Sequence, residues 1–565
     1  MSGATERPHL GVHIEVRGQL AAEDIDACAG RGVATVVCLR PDDEDGDYPT
    51  AEALRAHAEA LGLRFVHAPV PGTDVTDEAI SALEALQAET APAVAYCRSG
   101  RRVALAWAMA RVAAGRPLAE VLDEAAAAGF DLQEFVPQLT PAAITERRRP
   151  QTPPLAFEVV VVGGGSAGLA TIASLRRRRP SLSIALVEPS AEHHYQPGLT
   201  LVGSGWFDPA RITRPEETLI PDGVTWLRAA ATGFEPDAKR VVLADGRRVA
   251  YDALVLAPGL TLDWSAIEGV EETLGDNGVC SNYLPRIAPY TWECVRSLRR
   301  GTALFTQPAM PIKCAGAPQK ALYLACDRWR KAGVLGDIDV RFHNTGAALF
   351  GVEYFVPSLM KYVERYGARL CFESTLVAVD GPKQTARFRT RIGDDAVDES
   401  EVPFDFLHVV PPQRAPDCIA ASSLADANGW VEVDPHTLAH VRHADVFAAG
   451  DVVGTTNAKT MAAARKHAPI VAENLLARLD GRAPVVGYDG YGACPLTVEG
   501  GKVVLAEFGY GGKLLPTFPL EPAVPRRLQW WLKRRGMPVI YWELMLKGRE
   551  WYAGPGSLER VRAGA

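Results

Sequence analysis

The 565-residue chain has no uninterrupted run of about 18 apolar residues, the length that a membrane-spanning helix needs. No short apolar segment follows Met1, so we expect neither a secretory signal nor a transmembrane anchor. Positive charge is not in excess, with 60 basic against 68 acidic residues, which argues against a nucleic-acid partner. Ten scattered cysteines do not form a disulfide framework, and we expect no metal site. These absences predict a cytoplasmic protein.

The length suggests about three or four domains. A proline-rich and basic stretch without apolar periodicity, residues 137–156, is typical of an interdomain linker. Upstream of it, in 1–136, apolar runs alternate with helical patterns, which predicts a small three-layer α/β domain. Downstream, we assign 157–519 to a larger α/β unit and 520–565 to a terminal segment.

The N-terminal domain contains the stretch YCRSGRRVALAWA, in which Cys97 ends a strand and a helix begins near Arg102. Backbone N–H groups at a helix N-terminus and the arginine would favour a thiolate and hold an anion. Residues 8–135 resemble the phosphatase-like family that borders on rhodanese sulfurtransferases. Four residues separate Cys97 from Arg102, the rhodanese spacing, which favours sulfur transfer. A phosphatase with Asp74 as general acid and a non-catalytic relic are the alternatives.

The second unit opens with FEVVVVGGGSAGLATIASL, an apolar strand followed by a glycine-rich turn and a helix. Gly163, Gly165 and Gly168 have the G-x-G-x-x-G spacing, with Ser166 in the same turn, and a second strand ends at Glu188. The glycines permit the tight turn and close approach of a pyrophosphate, while the glutamate accepts the ribose hydroxyls. The pattern predicts a dinucleotide-binding fold.

Two later stretches favour FAD as the dinucleotide. YDALVLAPG ends at Gly259 and ADVFAAGD ends at Asp451, and both resemble signatures of flavoprotein reductases with two Rossmann-like dinucleotide-binding domains. This resemblance implies that Asp451 binds the ribityl chain. The helix that follows TNAKT would direct its N-terminus at the flavin pyrimidine edge, where Lys459 adds positive charge.

A second G-x-G-x-x-G motif for NAD(P)H is missing from the inserted domain. It is expected near 302–318 or 338–351, and neither TALFTQPAMPIKCAGAP nor DVRFHNTGAALFG contains it. We therefore expect an electron donor other than a nicotinamide.

PIKCAGAPQK replaces that loop, and with EHHYQPGLTLVGSG, YDGYGACPLTVEGG and MPVIYWELMLKG it resembles sulfide:quinone oxidoreductases of the mitochondrial type. The likeness covers about residues 157–556. It implies that Cys314 faces the flavin, accepts the sulfur of sulfide as a persulfide and passes two electrons through the flavin to quinone. Lys313 and the helix N-terminus at Pro318 would favour its thiolate.

One departure from that family concerns the second redox cysteine, which should follow the Gly-Asp of the last FAD signature. This chain has Val452 there, and valine cannot form a disulfide. Cys280 and Cys494 are the candidates to replace it. We place Cys280 first, because other branches of the family have a third active-site cysteine at that point.

The terminal segment combines Leu528, Trp531 and Leu532 at helical spacing with basic residues, followed by an apolar run with Tyr541 and Trp542. Aromatic and basic residues beside a short apolar run are typical of a membrane-interface anchor, although they could also pack on the FAD domain. We favour the membrane surface, where quinone is available.

The sequence thus predicts a flavoprotein on the cytoplasmic face of the inner membrane that oxidises sulfide or a persulfide and reduces quinone. Its N-terminal domain would relay sulfane sulfur to a low-molecular-weight thiol. One alternative is a flavin reductase that uses NAD(P)H or another donor, with a tyrosine-phosphatase-like domain. Another is a sulfur sensor without turnover, which the valine at 452 would suit.

Overall fold

The computed structural model describes residues 8–11, 13–42, 44, 48–147, 155–393 and 396–564. The chain forms two compact units, Met1–Thr152 and Pro153–Ala565. The stretch that the sequence suggests as a linker holds a helix, Pro141–Arg147, and its residues 148–154 lie outside the described set.

The first unit is a five-stranded sheet between helices. Its strands are β1 (His9–Leu10), β2 (Ile14–Arg17), β3 (Thr35–Cys38), β4 (Arg64–His67) and β5 (Ala93–Tyr96), and its helices are α1 (Ala22–Gly30), α2 (Ala51–Ala60), α3 (Asp77–Ala88), α4 (Arg101–Ala113), α5 (Leu118–Ala127) and α6 (Pro141–Arg147). The strand order is β1-β2-β5-β3-β4, and all pairs except β1 with β2 are parallel.

Side-chain alternation along these strands explains the helices on both faces. Val36 and Tyr96 pack with α1 and α2 on one face. Val37 and Ala95 pack with α3, α4 and α5 on the other. Because a strand places successive side chains on opposite faces, a strand that is apolar at every position needs cover on both sides. The predicted three-layer domain is confirmed.

The second unit contains the remaining elements. Its strands are β6 (Leu155–Val162), β7 (Ile184–Val187), β8 (Glu192–His194), β9 (Thr213–Pro215), β10 (Val224–Leu227), β11 (Ala231–Glu235), β12 (Arg240–Leu243), β13 (Arg248–Leu256), β14 (Thr261–Leu262), β15 (Val279–Cys280), β16 (Gly301–Gln307), β17 (Ile338–Asn344), β18 (Arg369–Phe372), β19 (Ser374–Asp380), β20 (Thr385–Arg391), β21 (Val397–Pro403), β22 (Phe406–His408), β23 (Gln413–Arg414), β24 (Val446–Ala448), β25 (Val486–Gly487), β26 (Gly492–Glu499), β27 (Lys502–Phe508) and β28 (Gly556–Ser557). Its helices are α7 (Ser166–Arg178), α8 (Leu199–Val202), α9 (Val270–Thr273), α10 (Ala288–Ser297), α11 (Ala317–Lys331), α12 (Val356–Tyr366), α13 (Asp417–Ala420), α14 (Met461–Leu479), α15 (Arg527–Trp531), α16 (Met537–Val539) and α17 (Leu558–Gly564).

Two sheets form the framework of this unit. The first has the order β10-β7-β6-β13-β12-β11 with β24 beside β13, and β6, β7, β10, β13 and β24 run parallel. The second, β15-β22-β16-β17-β18, is parallel throughout. Each parallel sheet carries helices, as a Rossmann-like domain does. The predicted fold with two such domains is confirmed.

The loops at the carboxyl ends of the parallel strands position the site, as is usual for open parallel sheets. The loop after β6 leads into α7, and the loop after β16 leads into α11. The hairpin of β26 and β27 packs against α11.

The terminal segment is helical with two wide turns. After α15 comes a π-helical turn, Leu532–Gly536, then α16 and a second π-helical turn, Ile540–Leu544. Among the residues described here, no helix combines the length and apolarity that crossing a membrane requires.

Candidate redox site

Glycines shape the turn between β6 and α7. Gly163 has a φ of 103°, and a Cβ atom there would lie 2.3 Å from the carbonyl oxygen of Ala257. A Cβ atom at Gly168 would lie 1.8 Å from the carbonyl oxygen of Gly163. Gly165 differs, because a Cβ atom there would meet nothing within 4 Å. Two glycines therefore serve the packing, and Gly165 leaves open the space that a ligand needs.

A cavity of about 300 Å³ adjoins this turn. Gly163, Gly165, Ser166, Glu188, Gly259, Asp451 and Lys459 all line it. The sequence assigned all seven to the cofactor, and the structure brings them together, with Gly168 behind the turn. An open glycine turn at a helix N-terminus suits a pyrophosphate, so the residues fit FAD.

Glu188 is held at the end of β7 by the backbone. Its carboxylate accepts N–H bonds from Gly164 and from Ser190, each at 2.7 Å. These bonds fix the carboxylate at the cavity wall, where a ribose would need an acceptor.

Lys459 lies just before α14, whose first turn also lines the cavity, and Asp451 lies in the short turn Gly450–Val452 that follows β24. The Lys459 ammonium donates to the carbonyl oxygens of Asp451 (2.6 Å) and Val453 (3.1 Å) and lies 3.8 Å from the centre of the Trp430 ring. Burial lowers the pKa of Lys459 to about 8 and raises that of Asp451. The predicted helix N-terminus and lysine therefore face the cavity.

Cys314 lies in the loop between β16 and α11, where it lines the same cavity. Its backbone has a φ of 56°, and its N–H donates to the carbonyl oxygen of Lys459 at 2.7 Å. The Lys320 ammonium, on the first turn of α11, lies 2.9 Å from the Cys314 sulfur. A hydrogen bond from the Cys494 thiol holds the pKa of Cys314 well below its usual range, with Lys320 and Lys533 contributing.

Cys494, and not Cys280, is the cysteine that the structure places beside Cys314. The Cys280 thiol is fully buried in β15, and burial, with a contribution from the neighbouring Cys294, raises its pKa well above the usual range. The placing of Cys280 as the first of two candidates stays a prediction, and the neighbours described here favour Cys494. Cys280 comes two residues before Asn282, which lines the cavity, but the Cys280 side chain is itself fully buried.

Lys320 and Lys533 are site residues that the sequence reasoning missed. Lys533, from the first π-helical turn, is 3% exposed and donates to the carbonyl oxygen of Pro495 at 3.1 Å. Burial holds its pKa well below the usual range, and Met537 lines the cavity beside it. A lysine within an apolar and aromatic run was the available signal, since such a residue is rarely buried without a reason.

The terminal segment also supports the FAD turn. Tyr541 is fully buried and shares hydrogen bonds with Ser166 (2.7 Å) and with His193. Trp542 packs edge-on against His193. These two aromatic residues thus pack on the FAD domain, the alternative that the sequence left open for them.

The first unit places Cys97 directly after β5, with Arg102 in the first turn of α4. The Gly100 N–H donates to the Cys97 sulfur at 3.1 Å. Two nitrogens of the Arg102 guanidinium donate to the Glu44 carboxylate, at 2.5 and 2.8 Å, and one of them also donates to the carbonyl oxygen of Val70. This ion pair lowers the pKa of Glu44. Asp74, the general acid of the phosphatase alternative, lies exposed in the turn after Val70.

Comparison with known proteins gives two family matches. Residues 9–114 match the phosphatase-like domain of beta-lactamase hydrolase-like proteins, and residues 157–284 match the pyridine nucleotide-disulphide oxidoreductases.

Three relatives cover most of the second unit. The mitochondrial sulfide:quinone oxidoreductase of Dictyostelium discoideum is 38% identical over 398 residues, which cover 70% of this chain and 87% of that protein. The mouse enzyme of the same description is 34% identical and covers 72% and 89%. The crystal structure of the Aquifex aeolicus sulfide:quinone oxidoreductase has a TM-score of 0.59 at 20% identity, over 70% of this chain and 92% of that one.

Proposed function

We propose that this chain, which belongs to the sulfide:quinone oxidoreductase family, oxidises sulfide or a related low-valent sulfur species with FAD as cofactor and quinone as electron acceptor. The observation that carries the proposal is Cys314, whose thiolate faces the dinucleotide cavity beside an ammonium group 2.9 Å away. A stabilised thiolate is the form of cysteine that reacts with sulfur electrophiles and donates electrons.

FAD would lie in the glycine-lined cavity, with its pyrophosphate at Gly165 and its ribose at Glu188. Bound there, it would accept two electrons from sulfur and release them to quinone. Asp451 and the N-terminus of α14 would hold the other end of the cofactor.

The chain's own residues prepare the sulfur chemistry. Lys320 stabilises the Cys314 thiolate, and the left-handed backbone of Cys314 aims its side chain into the cavity. Lys313 is anchored by a bond from its ammonium to the Gln196 side chain (2.9 Å), and both residues line the cavity. Burial lowers the pKa of Lys313 to about 8, so it stays charged near neutral pH and attracts the HS⁻ anion.

Quinone would reach the cavity beside the terminal segment. Met537 lines the cavity, whereas Leu528, Trp531 and Val539 of the same segment are 59%, 60% and 55% exposed. An exposed apolar stripe next to basic residues suits the interface of a lipid bilayer. We infer peripheral binding at the cytoplasmic face of the inner membrane.

For the first unit we propose sulfur transfer from Cys97 to a low-molecular-weight thiol. The Cys97 loop has the four-residue spacing, and its Gly100 N–H already faces the sulfur. Glu44 pairs with Arg102, so an anionic donor, whether thiosulfate or a phosphate ester, would have to compete with its carboxylate. The test is transfer of sulfane sulfur from thiosulfate to glutathione by the full-length protein and by its Cys97→Ser variant. Hydrolysis of aryl phosphates without sulfur transfer would favour the second candidate, a phosphatase.

The experiment that tests the main proposal is anaerobic reduction of the flavin by sulfide, followed by addition of a soluble quinone. We expect rapid bleaching with sulfide and recovery with quinone. The same titration with NADH addresses the nicotinamide alternative, which predicts bleaching by NADH and not by sulfide. A protein that no sulfur donor reduces would instead support the sensor hypothesis.

A further inference from the structure

We propose that Cys494 is the redox partner of Cys314, and that their sulfurs form the disulfide which sulfide opens. The inference rests on the proposed function, because it names a second reacting residue for the same site. Sulfide oxidation to the sulfane level removes two electrons, and a pair of neighbouring thiols can store that oxidising equivalent as an S–S bond. The question is which sulfur stands close enough to Cys314.

The β26–β27 hairpin brings Cys494 to the Cys314 loop. Cys494 is fully buried and belongs to the apolar cluster against which Cys314 packs. Ala493 and Pro495, on either side of it, line the cavity.

Gly316 permits this approach. A Cβ atom there would lie 2.3 Å from the Leu496 side chain and 3.7 Å from the Cys494 Cβ atom. The side chains of the hairpin thus pack directly on the backbone of the loop, and this packing brings Cys494 close to Cys314. A disulfide needs Cα atoms about 4.4 to 6.8 Å apart, and a Cys494 side chain that packs against the loop two residues from Cys314 requires little movement to reach that geometry.

Three other positions among the described residues are alternatives to Cys494, and each either lacks a sulfur or packs against other residues. Val452 is fully buried and has no sulfur. Cys280 has Cys294 as its neighbour, with no disulfide bond between them. Cys326 is buried within α11. Both Cys314 and Cys494 are free thiols in this structure.

Access to the cavity sets the direction of attack. Cys314 lines the cavity and Cys494 lies behind it, so HS⁻ attacks the Cys314 sulfur. The S–S bond breaks, Cys314 becomes a persulfide, and Cys494 leaves as a thiolate. The Lys320 ammonium, 2.9 Å from the Cys314 sulfur, faces this pair and stabilises the anion.

The cycle then closes with electrons and atoms in balance. An acceptor thiolate takes the outer sulfur from Cys314 as a persulfide, and Cys314 becomes a thiolate again. Joining the two cysteine thiolates re-forms the disulfide and releases two electrons, for which the oxidant is the bound FAD and, in turn, quinone. Quinone takes up two protons with them.

Peptide mapping tests the pair without relying on turnover. Trypsin should release Cys314 in residues 314–320 and Cys494 in residues 483–502, each with a single cysteine. The flavin-loaded protein, treated with quinone without sulfide and digested without reductant, should yield these two peptides joined by a disulfide. Recovery of both as free thiols, or of Cys314 joined to Cys280, would overturn the proposal.

Paired substitutions separate a redox role from hydrogen bonding. Cys494→Ser keeps a donor for the Cys314 thiolate but cannot form an S–S bond, and Cys494→Ala removes both functions. We expect both variants to slow flavin reduction by sulfide on the order of 100-fold, because neither can store the disulfide. The control Cys371→Ser, in β18, should match the wild type. Full speed in Cys494→Ser would show that Cys494 only positions Cys314.

Cys314→Ser distinguishes failure of this inference from failure of the proposed function. If Cys314→Ser is inactive and Cys494→Ser is fully active, the pair is refuted while the proposed function stands. If Cys314→Ser is also reduced by sulfide at the wild-type rate, both fail.

Discussion

Replacing Lys320 by glutamine should raise the pKa of the Cys314 thiol by about 1 to 2 units. The ammonium lies 2.9 Å from the sulfur, and two unit charges at that distance attract by about 6 kcal/mol at an effective dielectric constant of 20. Both charges are taken out of water to reach this arrangement, and that cost opposes the attraction. The net value therefore lies closer to that of a charge-assisted hydrogen bond, about 1.5 to 3 kcal/mol.

The direction of this pKa change depends on which form of the Cys314 thiol Lys320 stabilises. Lys320 stabilises the thiolate, so its removal extends the protonated form to higher pH. The pH profile of alkylation by iodoacetamide should shift upward, because only the thiolate reacts. The profile is measured on the reduced, flavin-loaded protein, with the label localised by peptide mass spectrometry.

Lys331→Gln provides the matched control. Lys331 is on the same helix, is exposed and pairs with Asp327, so this variant makes the same change of charge away from Cys314. Lys320→Arg, which keeps the charge, should restore most of the reactivity at neutral pH. A Lys320→Gln profile that matches the Lys331→Gln profile within about 0.5 unit would refute the assigned role of Lys320.

Three further outcomes are expected. Gly165→Val should fold, since nothing occupies the space around its Cβ atom, but should be purified with little FAD; a normal flavin content would contradict the assigned pyrophosphate site. Leu528→Glu with Trp531→Glu should lower binding to anionic vesicles by at least about tenfold while the flavin spectrum is unchanged, and equal sedimentation with vesicles would refute the interface. Glu44→Gln should lower the KM for thiosulfate, because Arg102 gains a free charge; an unchanged KM would mean that Arg102 does not meet the donor.

Local sequence patterns predicted the parts of the site that lie on one turn. The spacing of Gly163, Gly165 and Gly168 and the strand ending at Glu188 are consecutive features whose geometry follows from the backbone alone. The α/β organisation of both units followed from apolar runs that need cover on two faces.

Contacts between distant segments could not be predicted in this way. Cys494 meets Cys314 across 180 positions of sequence, because a hairpin packs on α11. Lys533 enters the site because the helix around it is wider than an α-helix, and no periodicity rule based on 3.6 residues places it there. Their aromatic character beside basic residues predicted that Tyr541 and Trp542 lie at a membrane surface. In the structure, a hydrogen bond to Ser166 and packing on the His193 ring hold them in the interior.

The two π-helical turns in the terminal segment change the directions in which its side chains point around the helix axis. Each such turn accommodates one residue more than an α-helical turn, and one residue corresponds to a rotation of about 100°. The extra residues let one short helix present Trp531 outward and Tyr541 inward to Ser166. A single-residue deletion within Leu532–Gly536 would therefore rotate every later side chain of the helix by about 100° and move it away from its present partner.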